Sequence, residues 1–277
     1  MRILVELTTI LLPMLYALVS VNYLVYFFRA DPFAKRTATP FLVGVGFLHA
    51  LFLLSRSVLY QRHPVGTLPE VTSVIAFAVV LVYLYQEQIQ RTKTTGVFII
   101  PLVVLLQIGA SVFLPHSPPE PGATALINNS IFGFHALLAV CGYSAFALGA
   151  VYGVMFLLLY RNLKRKKFGV VFERFPSLEI LSRMAVGASI FGWLFLTGTI
   201  LLGMLMSVKQ FPNFYKDPKF VTTIVVWVVY GLSIASYYLL NWRGARAVYL
   251  SLTGFVFAVF AALGSVFWWS SFHAFLV

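Results

Sequence analysis

The sequence has one cysteine, Cys141, and it falls inside an apolar run. A lone cysteine excludes an internal disulfide, a C-x-x-C redox pair and the C-x-x-C-H sequence that attaches haem covalently. Acidic residues are almost as scarce: eight aspartates and glutamates, dispersed along the chain, against 20 lysines and arginines. No H-E-x-x-H, G-x-S-x-G or phosphate-cradling glycine loop occurs, so no catalytic constellation is visible and the chain is not expected to be an enzyme. Long polar stretches are missing too, which leaves no room for a separate soluble domain and implies a single integral membrane domain over residues 1–277.

What remains is hydrophobic. Apolar residues make up 60% of the 277 and charged ones only 10%, and the mean hydropathy is +0.91, well outside the range of soluble globular domains. A hydrocarbon core of ~30 Å requires about 20 apolar residues in a helix. Eight such runs are present, near 4–28, 40–60, 69–86, 97–114, 131–160, 178–207, 221–241 and 247–269. The fold class is therefore all-α, a polytopic membrane helical bundle of about eight transmembrane helices. The first run is too long for a signal-peptide core and no A-x-A site follows it, so it is read as a span.

The net charge of +12 does not form a groove or stripe with stacking aromatics, which argues against nucleic acid as a partner. The basic residues sit in loops instead. Arg29, Lys35, Arg36, Arg91, Lys93, the run Arg161 to Lys167, Arg174, Arg243 and Arg246 fall on one side; Arg2, Arg62, Lys209, Lys216 and Lys219 fall on the other. By the positive-inside rule the richer side is cytoplasmic, and both termini are external. The run YRNLKRKKF at 160–168 reads as a topology signal that meets anionic headgroups, or as a contact for a cytoplasmic partner.

Smaller signals place helix ends and contacts. TLPEVTS puts Pro69 and Glu70 in the first turn of the third span, where helix initiation accounts for both, and NNS at 128–130 offers caps before the fifth. The glycines of GYSAFALGAVYG and GASIFGWLFLTGTILLG recur at helical spacing and mark close packing of spans five and six.

Polar groups within a membrane are costly, so the five histidines carry most of the functional information. His63 and His116 lie among turn residues and read as solvated. His49 is about ten residues, or ~15 Å, from either end of its span, and is expected to be a buried intramembrane polar site. A hydrogen bond to a neighbouring helix explains it; a ligand or relay role is the alternative, as is a small-molecule transporter site, although no paired broken helices mark one. His135, near the outer end of the fifth span, and His273, just past the eighth, lie at one depth. Two readings stay open: interfacial histidines bonded to backbone, lipid or water, or two neutral imidazoles ligating one haem iron.

The order of FLHALFLLSRS, TLPEVTSVIAFAVVLVYLYQE, FGFHALLAVCGYSAFALGAVYGVMFLLLY, FPSLEILSRMAVGASIFGWLFLTGTILLG, DPK, NWRGARAVYLSLTGF and SFHAF resembles the cytochrome c assembly membrane family, the CcsA-like and HemX-like group, over about residues 45–277. The resemblance implies haem as cofactor, with apocytochrome c and a ResB-like membrane protein as partners in a bacterial cytoplasmic membrane. It also implies haem binding at the external face through His135 and His273. Phe211, Phe214, Tyr215, Asp217, Trp268 and Trp269 would line the pocket, and Lys209, Lys216 and Lys219 would meet the propionates. The family's tryptophan-rich segment is reduced here to MLMSVKQFPNFYKDPKFV: Asp217, Pro218 and Lys219 match, Phe220 replaces a glutamate, and tryptophan is missing. The family's relay histidine in span seven falls on Ala235 and the arginine after it on Tyr237. These departures imply a HemX-like accessory or regulatory protein of haem biosynthesis as the alternative function, without haem transfer.

Overall fold

A computed structural model describes residues 2–114, 130–210 and 214–267, with the side chains of 130, 207–210 and 265–267 excepted. All regular structure among them is helical. The elements are α1 (Arg2–Arg29), α2 (Pro32–Tyr60), α3 (Leu68–Gln90), α4 (Gly96–Phe113), α5 (Ser130–Lys164), a short α6 (Val170–Arg174), α7 (Leu178–Gln210), a 3-10 turn (Phe214–Lys216), α8 (Pro218–Leu239) and α9 (Ala245–Phe267). Eight of these helices are long and apolar enough to cross a membrane, and they coincide with the eight runs. The NNS cap, His116, Phe211, Trp268, Trp269 and His273 lie outside the described residues.

Helix starts follow local chemistry. The helix α2 begins at Pro32, well before the apolar run, because the Asp31 carboxylate accepts the Ala34 N–H at 2.7 Å and proline is preorganised for the first helical position. Lys35 and Arg36 then extend the helix beyond the hydrocarbon, where their charges stay solvated. A capping box starts α3: the Glu70 N–H donates to Thr67 Oγ1 at 3.4 Å and the Thr67 N–H to Glu70 Oε2 at 3.2 Å. At α8, Asp217 Oδ1 accepts the N–H groups of Lys219 and Phe220 at 2.8 and 3.4 Å.

The described residues divide into two compact units, one within 2–133 and the other within 134–267. In the first, α1 packs on α2 and α4, and α3 packs on α4 and α2, closing a four-helix ring. Tyr16, Tyr23, Tyr83, Phe52, Ile99 and Ile100 fill its centre. At Gly96 the α4 backbone lies so close to Tyr23 that a Cβ there would fall 2.3 Å from the ring.

In the second unit α8 packs on α7 and α9, and α7 on α9. Small residues join α5 to α7 as the glycine spacing implies: a Cβ at Gly142 would lie 3.2 Å from the Gly192 carbonyl, and one at Gly149 3.2 Å from that of Ala185. Phe146 lies flat on Tyr230, centroids 3.6 Å apart and planes 9° apart, in a core completed by Leu196, Val226 and Ala258. Large apolar side chains such as Ile10, Phe47, Leu105, Leu205 and Phe260 point outward, the surface expected of a protein solvated by lipid.

Candidate functional site

The second unit holds His135 in the second turn of α5. Its Nδ1 is 2.9 Å from the backbone carbonyl of Thr199 on α7. A carbonyl can only accept, so the proton resides on Nδ1 and the neutral ring carries its lone pair on Nε2. Backbone anchoring of one ring nitrogen is how proteins fix the tautomer and aim of a metal-ligating imidazole. One turn beyond Thr199, Gly203 supplies the floor for the ring: a Cβ there would lie 3.0 Å from Cε1 and 3.3 Å from Nδ1. The ring is half-buried, held on one edge by α7.

The aromatic remnants follow α7. Phe214 is half-buried and meets Phe220 edge-on at 5.2 Å and Tyr215 at 6.1 Å. Tyr215 is exposed, with the Lys216 ammonium 5.8 Å from its ring centroid. Asp217, expected among the pocket residues, is buried with its carboxylate turned to the first N–H groups of α8.

Sequence reasoning missed a tryptophan pair inside this unit. Trp193 on α7 stacks on Trp227 on α8, centroids 5.2 Å apart and planes 20° apart. Trp193 Nε1 donates to the Trp227 carbonyl at 3.0 Å, and Trp227 Nε1 donates to Thr197 Oγ1 at 2.8 Å. Thr197 in turn donates to the Trp193 carbonyl at 2.8 Å. The spacing of Trp193 and Thr197, one turn apart on one helix face, was the only signal available. Further along α8, Ala235 offers no ligand and the Tyr237 ring lies 5.9 Å from the Arg243 guanidinium.

In the first unit His49 is fully buried and bonded at both ring nitrogens: Nδ1 to Tyr16 Oη and Nε2 to Ser73 Oγ, each at 3.0 Å. Ser73 donates its hydroxyl to Gln107 Oε1 at 3.1 Å, so it accepts from His49 Nε2, and Nδ1 accepts from Tyr16. Gln107 Nε2 passes the chain to Ser111 at 3.3 Å. All four helices of the unit contribute, and the expected single hydrogen bond is a directed series.

Glu70 does more than start a helix. Arg62 grips it through both Nη atoms at 2.7 and 2.8 Å, and Arg56 Nη2 adds a third contact at 3.0 Å, with all three side chains buried. At the opposite end of α3 the buried carboxylate of Glu87 accepts the Tyr23 hydroxyl at 2.7 Å and that of Thr39.

Eight helices of membrane-crossing length and composition among the described residues define a polytopic helical membrane protein. Residues 65–273 match the family model described as Cytochrome C assembly protein, and the chain belongs to that family. It is similar to Protein HemX of Brevibacillus brevis, 26% identical over 260 residues and covering 94% of each chain. It is also similar to Cytochrome c biogenesis protein CcsA of Heterosigma akashiwo, 22% identical over 250 residues, 78% of this chain and 77% of the other. Inner membrane protein YpjD of Escherichia coli is 26% identical over 185 residues, 64% of this chain and 66% of its own.

Proposed function

We propose that this protein is a haem-handling membrane component of cytochrome c assembly that binds haem at the external face, with His135 and His273 as ligands to the iron. The observation that carries the reading is the bond between His135 Nδ1 and the Thr199 carbonyl, which commits Nε2 to be the lone-pair nitrogen. The donor set fits the group: neutral imidazole suits haem iron, and Phe214 and Tyr215 supply aromatic surface. Phe211, Trp268 and Trp269 complete the walls in this reading, and Lys216 and Lys219 meet the propionates. Haem brings the iron chemistry; the chain contributes ligands, orientation and an apolar shelter. Its partners are apocytochrome c and a ResB-like membrane protein, and its membrane is the bacterial cytoplasmic one. No catalytic role is assigned to it.

A second reading is favoured by one comparison, the likeness to a protein named HemX over 94% of both chains. In that reading the chain is an accessory or regulator of haem biosynthesis and does not pass haem on. Ala235, where the family pattern has a relay histidine, supports it.

The test is an absorption spectrum of the full chain purified in detergent from haem-replete cells, beside His135→Ala and His273→Ala. A six-coordinate bis-imidazole spectrum in the parent, lost in both variants, is expected. A parent that is haem-free and cannot be reconstituted overturns the first reading and leaves the accessory role.

A further inference from the structure

A groove of about 730 Å³ lies between α2 and α3 at the end that the charge distribution assigns to the cytoplasm. Its rim is basic: Arg36 from the start of α2, Arg91 in the left-handed turn that ends α3, and Lys93 just beyond. The Lys93 ammonium is held over the groove by donating to the Lys35 carbonyl at 2.8 Å, and it keeps further N–H donors for a ligand. In the wall is Glu87, whose two oxygens each accept one hydroxyl, from Tyr23 and Thr39. Among the described residues no lysine or arginine pairs with Glu87, so the three rim cations are not neutralised by it. Gln88 and Thr39 are the neutral polar lining; on the α2 side the groove turns apolar at Pro40 and Val43, which lead down the helix to Phe47 outside it, all three exposed.

Three cations at headgroup depth and an apolar exit into the hydrocarbon match the parts of one molecule. We infer that this groove is an anionic phospholipid site: the phosphodiester sits among Arg36, Arg91 and Lys93, and an acyl chain follows Pro40, Val43 and Phe47. The net positive rim favours an anionic lipid over phosphatidylcholine, which is zwitterionic.

The full chain, delipidated in detergent, is titrated with dioleoyl phosphatidylglycerol or dioleoyl phosphatidylcholine and followed by native mass spectrometry. One phosphatidylglycerol per chain is expected to bind at least about tenfold more tightly than phosphatidylcholine. The triple variant Arg36→Gln, Arg91→Gln, Lys93→Gln is expected to lose that preference while keeping the parent's elution profile and helical circular dichroism. Replacing Arg243 and Arg246 by glutamine, cations elsewhere in the chain, should leave it intact. Equal binding of the two lipids, or loss in the second variant instead of the first, overturns the assignment. Competition by millimolar glycerol 3-phosphate, which has no acyl chain, also overturns it, since the groove is then a site for a free phosphate.

Discussion

The two units bury different things. In the first, the interior carries ionic and hydrogen-bonded side chains: the Glu70 cluster, the series from Tyr16 through His49 to Ser111, and Glu87 with its two hydroxyls. In the second, the interior is glycine, alanine and stacked rings with neutral hydrogen bonds between them, from Trp193 and Trp227 and between Ser189 and Ser251, and His135 is tied to a backbone carbonyl. Lipid is as apolar as a core of leucine, so burial of hydrocarbon does little to hold transmembrane helices together. The first unit is held in register by ionic and polar contacts that have no alternative partner in hydrocarbon; the second is held by backbones close enough for dispersion to act, with neutral hydrogen bonds beside them. A unit built on close contact of small residues leaves its histidine anchored and its Nε2 committed as the lone-pair nitrogen.

That contrast can be broken from either side, and the largest effect is expected at Glu70. Glu70→Ala leaves Arg56 and Arg62 buried without their shared carboxylate, and removing one partner of such a cluster costs about 3–5 kcal/mol. Thermal unfolding in detergent should show a large fall in Tm or loss of the folded protein; a change within error would mean that water reaches the cluster.

In the second unit Gly192→Ala places a methyl 2.4 Å from the Phe146 ring, and the overpacking should cost about 1–3 kcal/mol in the same assay. The equivalent change at Gly44, which has open space around it, should cost only about 1 kcal/mol or less in either direction. His49→Leu leaves Tyr16 and Ser73 without their ring partners and should destabilise by about 1–3 kcal/mol. It should leave any haem spectrum unchanged; loss of the spectrum without loss of stability would move the site to His49. Trp227→Phe removes one indole donor and part of a stack, a loss of about 0.5–1.5 kcal/mol.

The fold was largely legible because hydrocarbon thickness forces long apolar runs, and the eight membrane-length helices among the described residues lie where the runs are. Its edges were less so. The start of α2 was hidden by Lys35 and Arg36, whose charges ended the apolar run while Asp31 and Pro32 began the helix. The polar interior of the first unit was invisible for another reason: Tyr23 and Glu87 are 64 residues apart and His49 and Gln107 meet through Ser73, and no spacing rule reports such meetings. At the candidate site His135 was legible as an isolated imidazole near a span's end. A bond to backbone was among the readings left open; which carbonyl was not legible, because the partner is the main-chain oxygen of Thr199, and a carbonyl has no sequence signature.

Ligand rescue tests most directly whether His135 presents Nε2 to iron. His135→Gly is purified in detergent with haem and titrated with imidazole, while the Soret and visible bands and the low-spin electron paramagnetic resonance signal are followed. A five-coordinate spectrum is expected, returning to the parent's bis-imidazole form as imidazole fills the vacated space beside Thr199 and Gly203. A variant that keeps the parent spectrum with no imidazole added would contradict that role for His135.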